Sequence, residues 1–402
     1  MSLHKNTASQ INLAARIGYI SSERYPHHNT NTQQIIKNVS SLRAAGVEID
    51  LIVPRQEAMY LASDAQLEAA ICQYYNVPAG LGIRQTGIFP ASGLQLDKYL
   101  HPIFAIIYCR LIKRYDIVYT RNIFTAILLA LFGIKFMFET YQRLGDTKPG
   151  FIKLLTKQAN KGRMLGMVLH SNVAAESMRR AGFPKEKLLV LHNGVDNSDM
   201  LPVVSKTQAR EKLNLDISSK YVVYTGNMQK NKCIESVVDI AAYLPETTFL
   251  LVGGRSEDLA RLTNYCGAKN VKNVVLVERQ PVSMVSQYLY AADALIIPPV
   301  SAPMEQFGKT VLPFKLFPYL AAGRPIVAPD LADMRELLRH NENGLLVRPD
   351  DAAQNAAAIR ALFSDENMQA QLASNAAETS KSLTWEARAE KFKQWLMING
   401  QR

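Results

Sequence analysis

The sequence predicts an α/β protein of two Rossmann-like domains, each built on a parallel sheet. Its 402 residues exceed what one hydrophobic core usually organises, so two domains of roughly 100 to 200 residues each are expected. Strand-like and helix-like patterns alternate along almost the whole chain, which is typical of βαβ units. The alternation restarts after a polar stretch, residues 196–220, and this restart places the domain boundary near residue 195.

Each domain contributes a series of short apolar runs that predict strands. In residues 31–45 aliphatic side chains recur on one helical face and Gly46 follows as a C-cap signal, so the first strand, helix and second strand form one βαβ unit. The segment 383–402 holds a final amphipathic helix, from Trp385 to Met397, outside the second domain of 196–382. The predicted strands are 17–21, 49–53, 117–119, 134–138, 167–169, 188–191, 221–224, 249–252, 274–277, 294–297 and 325–328.

Composition and targeting signals indicate an ordinary folded protein in the cytoplasm. Hydrophobic residues make up 48% of the chain and charged residues 20%, without low-complexity tracts. The start, Met1 to Ala14, lacks a secretory pattern. The longest apolar run, Ile123 to Ile134, is shorter than the roughly 20 residues that span a bilayer and is predicted as a buried helix. The four cysteines are widely spaced, which predicts neither a metal site nor a disulfide.

The excess positive charge lies entirely in the first half of the chain. Residues 1–190 hold 23 Lys and Arg against 12 Asp and Glu, a net +11, whereas residues 191–402 hold 23 of each. This asymmetry indicates an acidic partner, such as an anionic membrane surface or a phosphorylated acceptor, or else a solvated basic surface. Nucleic acid is not expected, because the sequence has no recognised binding module. Residues 99–108, followed by Arg110, Lys113 and Arg114, are either a lipid-touching amphipathic element or a core helix with a basic end.

Ligand contacts are expected where strands end, because open parallel sheets bind ligands outside the carboxyl ends of their strands. The first strand is followed by a polar loop that includes His27, His28, Asn29 and Thr30, which we interpret as facing the acceptor. The alternative for the two histidines is an exposed loop without a role. No GxGxxG follows this strand, which counts against a dinucleotide site in the first domain.

The second domain opens with a glycine turn suited to a diphosphate. Gly226 and Asn227 follow the first strand of this domain, and Lys232 precedes a helix predicted from about Ile234. Backbone amides at such a turn and a nearby lysine are typical of phosphate sites. The next strand ends at Gly253, which indicates close approach by a ligand or by backbone.

A cationic segment, residues 307–328, gives the strongest functional signal. It predicts a loop, a helix from about Leu312 with Pro313 in its first turn, a glycine stop and a buried strand. Lys309 and Lys315 lie close to the predicted helix N-terminus, where an anionic group is expected to dock.

The order of these motifs resembles the group-1 glycosyltransferases (glycosyltransferase family 4), closely over residues 188–350 and loosely in the first domain. The resemblance implies the GT-B architecture, with two sheets facing a central cleft and the last helix packing back on the first domain. It also implies that the second domain holds a nucleotide-sugar donor and the first an acceptor. The motifs that carry it are 191–196, 224–232, 291–293, 315–328 and 343–347.

The implied reaction is a retaining, metal-independent transfer of a sugar to a glycan, lipid-linked or small-molecule acceptor, in polysaccharide or glycoconjugate biosynthesis. No cofactor or metal is expected, and peripheral contact with the inner face of the membrane fits the basic first half. Lys232 aligns with the family's phosphate-binding lysine and, with Lys315 and Glu139, forms the predicted catalytic set. The predicted donor-binding residues are Gly226, Asn227, Lys232, Gly253, Lys309, Thr310, Val311 and Lys315, and the acceptor-binding residues are His27, His28, Asn29, Thr30, Arg121 and Arg143.

Several positions depart from the family pattern. Asn227 replaces a usual arginine, and the usual acidic pair falls on Thr310 and Pro318. Glu139 lies where many members have a histidine, and the alternative role of Glu139, Arg121 and Arg143 is a local ion pair at a strand end. An altered donor preference is the expected consequence. The second hypothesis is a catalytically impaired GT-B protein that binds a nucleotide sugar without turnover.

Overall fold

The computed structural model describes residues 15–56, 62–89, 97–302 and 312–399. Within these ranges the chain forms one seven-stranded and one six-stranded sheet, and the strands of both sheets pair in parallel. Both sheets have helices on both faces. The two-domain α/β fold predicted from the sequence is therefore confirmed.

The strands of the two sheets follow the same doubly wound order. The first sheet runs β3-β2-β1-β4-β5-β6-β7 and the second runs β10-β9-β8-β11-β12-β13, so the order reverses beside β1 and beside β8. The strands are β1 Ile17–Ile20, β2 Ile49–Gln56, β3 Ile83–Phe89, β4 Ile117–Thr120, β5 Phe136–Thr140, β6 Met164–Leu169, β7 Leu188–Val190, β8 Lys220–Thr225, β9 Thr247–Gly254, β10 Val274–Glu278, β11 Ala294–Ile296, β12 Ile326–Pro329 and β13 Leu345–Val347.

Helices connect these strands, and a last helix follows the second sheet. A π-helical turn, Tyr108–Ile112, continues α3 directly. The α-helices are α1 Thr30–Ala44, α2 Asp64–Tyr75, α3 Asp97–Ile107, α4 Ile123–Phe132, α5 Leu144–Thr147, α6 Pro149–Asn160, α7 Asn172–Arg180, α8 Lys206–Lys212, α9 Glu235–Ala241, α10 Ser256–Lys269, α11 Val282–Ala291, α12 Leu316–Ala321, α13 Ala352–Ser364, α14 Glu366–Ser380 and α15 Trp385–Asn399. In the described ranges, no helix combines the length and apolarity needed to cross a membrane.

Two strands were not predicted, and one helix begins later than predicted. β3 interrupts its apolar residues with Arg84, Gln85 and Thr86, and β13 is only three residues long, so neither gives a clear apolar run. Helix α12 begins at Leu316, not near Leu312. Pro318 explains this start. In a helix that began at Leu312, Pro318 would lie in the helix interior, where its ring would clash with a backbone carbonyl of the preceding turn. In a helix that begins at Leu316, Pro318 lies in the first turn, where the missing N–H has no partner to lose.

Helix α15 packs on the first domain. Its buried side chains Ala389, Phe392 and Leu396 belong to the core cluster formed with α1 and α2 on one face of the first sheet. The rings of Phe392 and Tyr119 stack at a centroid distance of 5.5 Å. Helices α3, α4, α6 and α7 cover the opposite face of the same sheet.

The chain passes between the domains at two adjacent points. The backbone N–H of Val195 donates to Leu383 O at 2.8 Å, and that of Trp385 donates to Val195 O at 3.2 Å. The outgoing and returning segments are thus joined by a short parallel bridge. This bridge fixes where α15 leaves the second domain.

Candidate functional site

Two glycine turns lie at the carboxyl ends of β8 and β9. Gly226 has φ +133° and Gly253 has φ +118°, both in the region that favours glycine. A Cβ placed on Gly253 would lie 2.6 Å from the carbonyl oxygen of Gly226. Of the two interpretations of Gly253, close approach by backbone is the one seen here. Its contact with a donor stays a prediction.

Two tyrosines hold the turn after β8. The Tyr224 hydroxyl donates to the carbonyl oxygen of Asn227 at 2.6 Å. The backbone N–H of Thr225 donates to the hydroxyl of Tyr319 at 2.7 Å. Because Tyr319 belongs to α12, the second of these bonds fixes the position of α12 relative to the turn that contains Gly226 and Asn227.

Lys315 lies directly before α12 and reaches into this turn. Its Nζ is 3.4 Å from the ring centroid of Tyr224, a cation–π contact. A Cβ on Gly226 would lie 3.1 Å from the same Nζ. Burial, with a smaller contribution from the charge of Lys232, holds the pKa of Lys315 well below its ordinary value. In the described part of the chain, no carboxylate pairs with Lys315.

Lys232 supplies the second cation of this cluster. It ends the exposed 3-10 turn Lys230–Lys232, and Cys233 follows with φ +53°, before α9 begins at Glu235. Two lysines of like charge close enough to affect a pKa form a region that an anion would stabilise. The other predicted donor residues of this edge, Lys309, Thr310 and Val311, lie outside the described residues.

At the carboxyl end of β5 in the first domain, Glu139 is the centre of a closed polar cluster. Glu139 is buried, with 2% of its surface exposed. Tyr119 donates its hydroxyl to Oε2, while His170 Nε2 lies 2.6 Å and Arg388 Nη2 2.9 Å from Oε1. Burial would raise the pKa of Glu139, but the charges of Arg388 and Arg121 hold it well below its ordinary value. The carboxylate is therefore ionised and engaged by three neighbours.

His170 is neutral in this cluster. Burial lowers its pKa to about 4, although the hydrogen bond with Glu139 opposes this shift. Because an ionised carboxylate only accepts hydrogen bonds, Nε2 of the neutral imidazole carries the proton and donates it to Glu139. The predicted catalytic role of Glu139 stays a prediction, and its contacts match the alternative of an ion pair at a strand end.

The two arginines predicted for acceptor binding lie in different surroundings. Arg121 donates from Nη2 to Gln34 Oε1 at 3.0 Å, and its guanidinium carbon is 6.0 Å from the ring centroid of Tyr141. Arg143 forms an ion pair with Asp146 at 2.6 Å. The ion pair of Arg143 matches the alternative of a local ion pair at a strand end, whereas Arg121 lies close enough to Glu139 for their charges to interact. Acceptor binding by either stays a prediction.

The loop after β1 lies at the boundary with the second domain. The rings of His27 and His28 stack at 4.1 Å, and Tyr75 fixes the loop through both backbone polar groups of His27, at 2.8 and 2.6 Å. Arg279 of the second domain donates to His28 O at 3.5 Å. Asn29 and Thr30 are exposed where α1 begins. These four residues are thus at the position expected of acceptor contacts, which stay predicted.

Sequence reasoning missed two residues that join the parts of the molecule. Glu336 of the second domain accepts from the backbone N–H groups of Asn172 and Val173 at 2.8 and 2.9 Å, and lies 2.9 Å from His192 Nε2. It thereby caps α7 of the first domain. No local signal pairs residues so far apart in the chain. Arg388, by contrast, left a signal, because it is a charged residue on the apolar face of α15.

The fold and site together define a class of protein. Two doubly wound domains, joined by a double crossing and carrying a cationic turn at the edge of the second sheet, form a GT-B architecture. Residues 219–365 match the family model described as "Glycosyl transferases group 1". The resemblance to this family that the sequence predicted is therefore confirmed.

Curated relatives carry the name D-inositol 3-phosphate glycosyltransferase. The protein from Xylanimonas cellulosilytica is 29% identical over 230 residues, which cover 54% of this chain and 52% of the relative. That from Mycobacterium marinum is 30% identical over 206 residues, covering 49% and 42%. The chain thus spans about half the length of the curated relatives it matches.

Solved structures share the fold over nearly the whole chain. Sucrose-phosphate synthase from Thermosynechococcus elongatus superposes with a TM-score of 0.75 at 18% identity, covering 96% of this chain and all of that one. Anabaena HepE in complex with UDP gives a TM-score of 0.72 at 16% identity, covering 95% of this chain and all of that one. At such identities the similarity establishes the fold.

Proposed function

We propose that this protein is a glycosyltransferase that moves a sugar from a nucleotide-sugar donor to a glycan, lipid-linked or small-molecule acceptor. The observation that carries the proposal is Lys315, whose ammonium group lies over Tyr224 beside Gly226 without a carboxylate partner in the described residues. A cation held in this state favours an anionic ligand. The UDP bound by HepE makes a nucleoside diphosphate the first ligand to test.

In the proposed reaction the bond between the anomeric carbon and the diphosphate oxygen breaks, and a bond to the acceptor oxygen forms on the same face of the sugar. The acceptor proton passes to the departing diphosphate. Lys232 and Lys315 stabilise the charge that develops on the diphosphate, in place of a divalent metal. The lack of a carboxylate partner for Lys315 in the described residues supports this role, because an arriving diphosphate would stabilise the ammonium form that burial disfavours.

The second domain, 196–382, is proposed to hold the donor, and the first, 1–195, the acceptor. The curated relatives are named for D-inositol 3-phosphate, so phosphorylated acceptors join the substrates to be tested. The pKa of His28 is lowered by burial and by the positive charges of His27, Arg279 and Arg255, and this cationic edge supports an anionic acceptor. Polysaccharide or glycoconjugate synthesis at the inner face of an anionic membrane is the proposed setting.

Glu139 enters the proposal through its neighbours. Its carboxylate is buried beneath Arg388, and it orients the hydroxyl of Tyr119 and the imidazole of His170. We propose that Glu139 is a positioning residue, which holds these side chains in place at the base of the proposed acceptor side. Its substitution is then expected to lower stability more than turnover at saturating substrate.

The test is incubation of the purified protein with a panel of sugar nucleotides, with and without EDTA, and with candidate acceptors. Nucleoside diphosphate release is measured beside thermal-shift binding, and NMR of the product gives the anomeric configuration. Release that survives EDTA, with retained configuration, supports the proposal. Loss of release with EDTA would overturn metal independence. Binding without release would favour the catalytically impaired protein, for which Pro318 in the family's usual acidic position is the motivating observation.

A further inference from the structure

Helix α3 and the π-helical turn that continues it are apolar on two opposite sides. The inner side packs into the core through Ala105, Ile106 and Cys109. The outer side is also aliphatic, and it ends in Leu111 and Ile112, which are 67% and 66% exposed. Earlier turns contribute further exposed aliphatic residues at helical spacing, namely Leu100, Ile103 and Ile107. A surface helix of a soluble domain normally carries polar residues on its outer side.

Helix α4 lies beside α3 and has the same character. It contains no charged residue, and its last residues, Leu131 and Phe132, are 67% and 70% exposed. The sequence predicted this run as a buried helix, which is wrong for its outer side, because no other described element covers Leu131 and Phe132 there. Tyr99 of α3 and Phe124 of α4 contact each other edge to face at 5.5 Å. The outer sides of both helices therefore form one surface, the α3–α4 face.

Positive charge accompanies this face. Arg110, Lys113 and Arg114 lie at the end of α3 where Leu111 and Ile112 are exposed, and Lys135 follows α4. In the part of the chain that the structure describes, no carboxylate forms an ion pair with any of these four residues. They belong to the half of the chain that carries the whole net charge of +11. Apolar side chains beside uncompensated cations complement the interface of an anionic bilayer.

We propose that the α3–α4 face docks on the surface of an anionic phospholipid membrane. The exposed leucine, isoleucine and phenylalanine side chains enter the boundary between headgroups and acyl chains, and the basic residues contact the headgroup phosphates. Contiguous apolar surface of this kind marks an interaction site more often than a solvated face. Of the two interpretations of residues 99–108, a core helix with a basic end describes the inner side, and lipid contact by the outer side belongs to this proposal.

The docking surface extends to the proposed acceptor side. Ser22, which follows β1, has its hydroxyl 3.1 Å from Nδ1 of His101 in α3. The amino end of α3 therefore lies next to the loop of His27 and His28, while its basic end lies at the opposite edge of the first sheet. That a membrane-borne acceptor uses this arrangement rests on the proposed function. Membrane docking itself does not.

The experiment is sedimentation of the full-length protein with vesicles of phosphatidylcholine, with and without phosphatidylglycerol. We expect binding to the anionic vesicles alone. The pair Leu131→Ser/Phe132→Ser should weaken this binding at least tenfold through lost apolar insertion, and Arg110→Gln/Lys113→Gln roughly tenfold or more through lost charge. A matched control, Val203→Ser/Tyr243→Ser, removes comparably exposed apolar side chains from the second domain and should leave binding unchanged.

Three outcomes would overturn the proposal. These are equal binding to neutral vesicles, variants that bind as the control does, and lipid-free self-association that the Leu131→Ser/Phe132→Ser pair abolishes. Nucleoside diphosphate binding by the same variants separates this proposal from the preceding one, because neither pair touches the turn after β8. Variants that lose vesicle binding but still bind the nucleotide bear on membrane docking alone. Variants that lose nucleotide binding but still bind vesicles bear on the proposed sugar transfer alone.

Discussion

The two sheets end in two charged clusters of opposite design. In the first domain, Glu139 is buried among Arg388, His170 and Tyr119, so its carboxylate oxygens accept hydrogen bonds from all three and its charge is matched by the guanidinium of Arg388. In the second domain, Lys315 has an aromatic ring and another lysine as neighbours. A buried charge of the first kind depends on its partners, because removing one partner leaves the other unpaired and destabilises the fold, whereas a buried cation without a carboxylate partner favours an anionic ligand. Both clusters lie at the ends of strands, so the structural role of Glu139 and the proposed ligand-binding role of Lys315 differ because of the partners of each charge.

The compensated cluster should give the largest effect when it is broken. Arg388→Met leaves Glu139 buried without the cation that is hydrogen-bonded to it, and such a loss costs about 3 to 5 kcal/mol. We expect a fall of that size in the free energy of unfolding, measured by urea denaturation. Because α15 then loses its buried hydrogen bonds from Arg388 to the first domain, that domain should open first.

Two further variants calibrate this result. Lys381→Met breaks an exposed pair with Glu378 and should cost under about 1 kcal/mol. The double variant Arg388→Met/Glu139→Gln removes both buried charges and should recover most of the loss. If the double variant is no more stable than Arg388→Met, the pairing does not explain the stability. If Glu139→Gln alone abolishes turnover while remaining folded, Glu139 belongs to the reaction.

Acid should weaken the same cluster through His170. Its pKa is lowered from 6.5 to about 4, so the unfolded chain binds the proton more tightly than the folded one. The stability held by the neutral imidazole is complete above pH 6.5 and is lost as the pH falls towards 4. We expect a loss on the order of 3 kcal/mol over this range, and a correspondingly flatter pH dependence in His170→Gln. If the free energy of unfolding falls equally with pH in the wild type and in His170→Gln, His170 does not explain the loss of stability in acid.

Much of the fold was predictable, and the reasons are local. Strands such as β1 and β8 are continuous apolar runs, and α1 shows one apolar face before Gly46. β3 was missed because Arg84, Gln85 and Thr86 interrupt its apolar residues. The start of α12 was misplaced because it is set by Pro318, six residues downstream of the predicted start. Helix patterns also do not show which apolar side stays uncovered, as α4 illustrates.

The candidate site was predictable in its residue types but not in its pairings. Gly226, Lys232 and Lys315 stand out because glycines and lysines recur where strands end. That Glu139 is matched by Arg388, or that Glu336 caps α7, depends on contacts between residues more than 150 positions apart in the chain. Local patterns carry no such information. The sequence shows which residues are charged, but only the three-dimensional structure shows which of these charges are paired.

The smallest of the predicted effects tests Lys315, which has no carboxylate partner in the described residues. Lys315→Met should weaken binding of UDP, or of whichever nucleoside diphosphate the panel selects, by about 2 kcal/mol, roughly 30-fold, because a charged hydrogen-bond donor is lost. Lys272→Met, at an exposed lysine on the opposite edge of the same sheet, should leave the affinity unchanged. Isothermal titration calorimetry measures both.

Proton uptake gives this prediction its specific signature. The lowered pKa of Lys315 means that part of the protein carries a neutral amine at high pH, and an arriving diphosphate favours the ammonium form. Binding should therefore take up a proton, and affinity should fall as the pH rises. Titration in buffers of different ionisation enthalpy should show this uptake in the wild type and not in Lys315→Met. Equal uptake in both would assign the proton to another group, and the contrast between the two clusters would then no longer rest on Lys315.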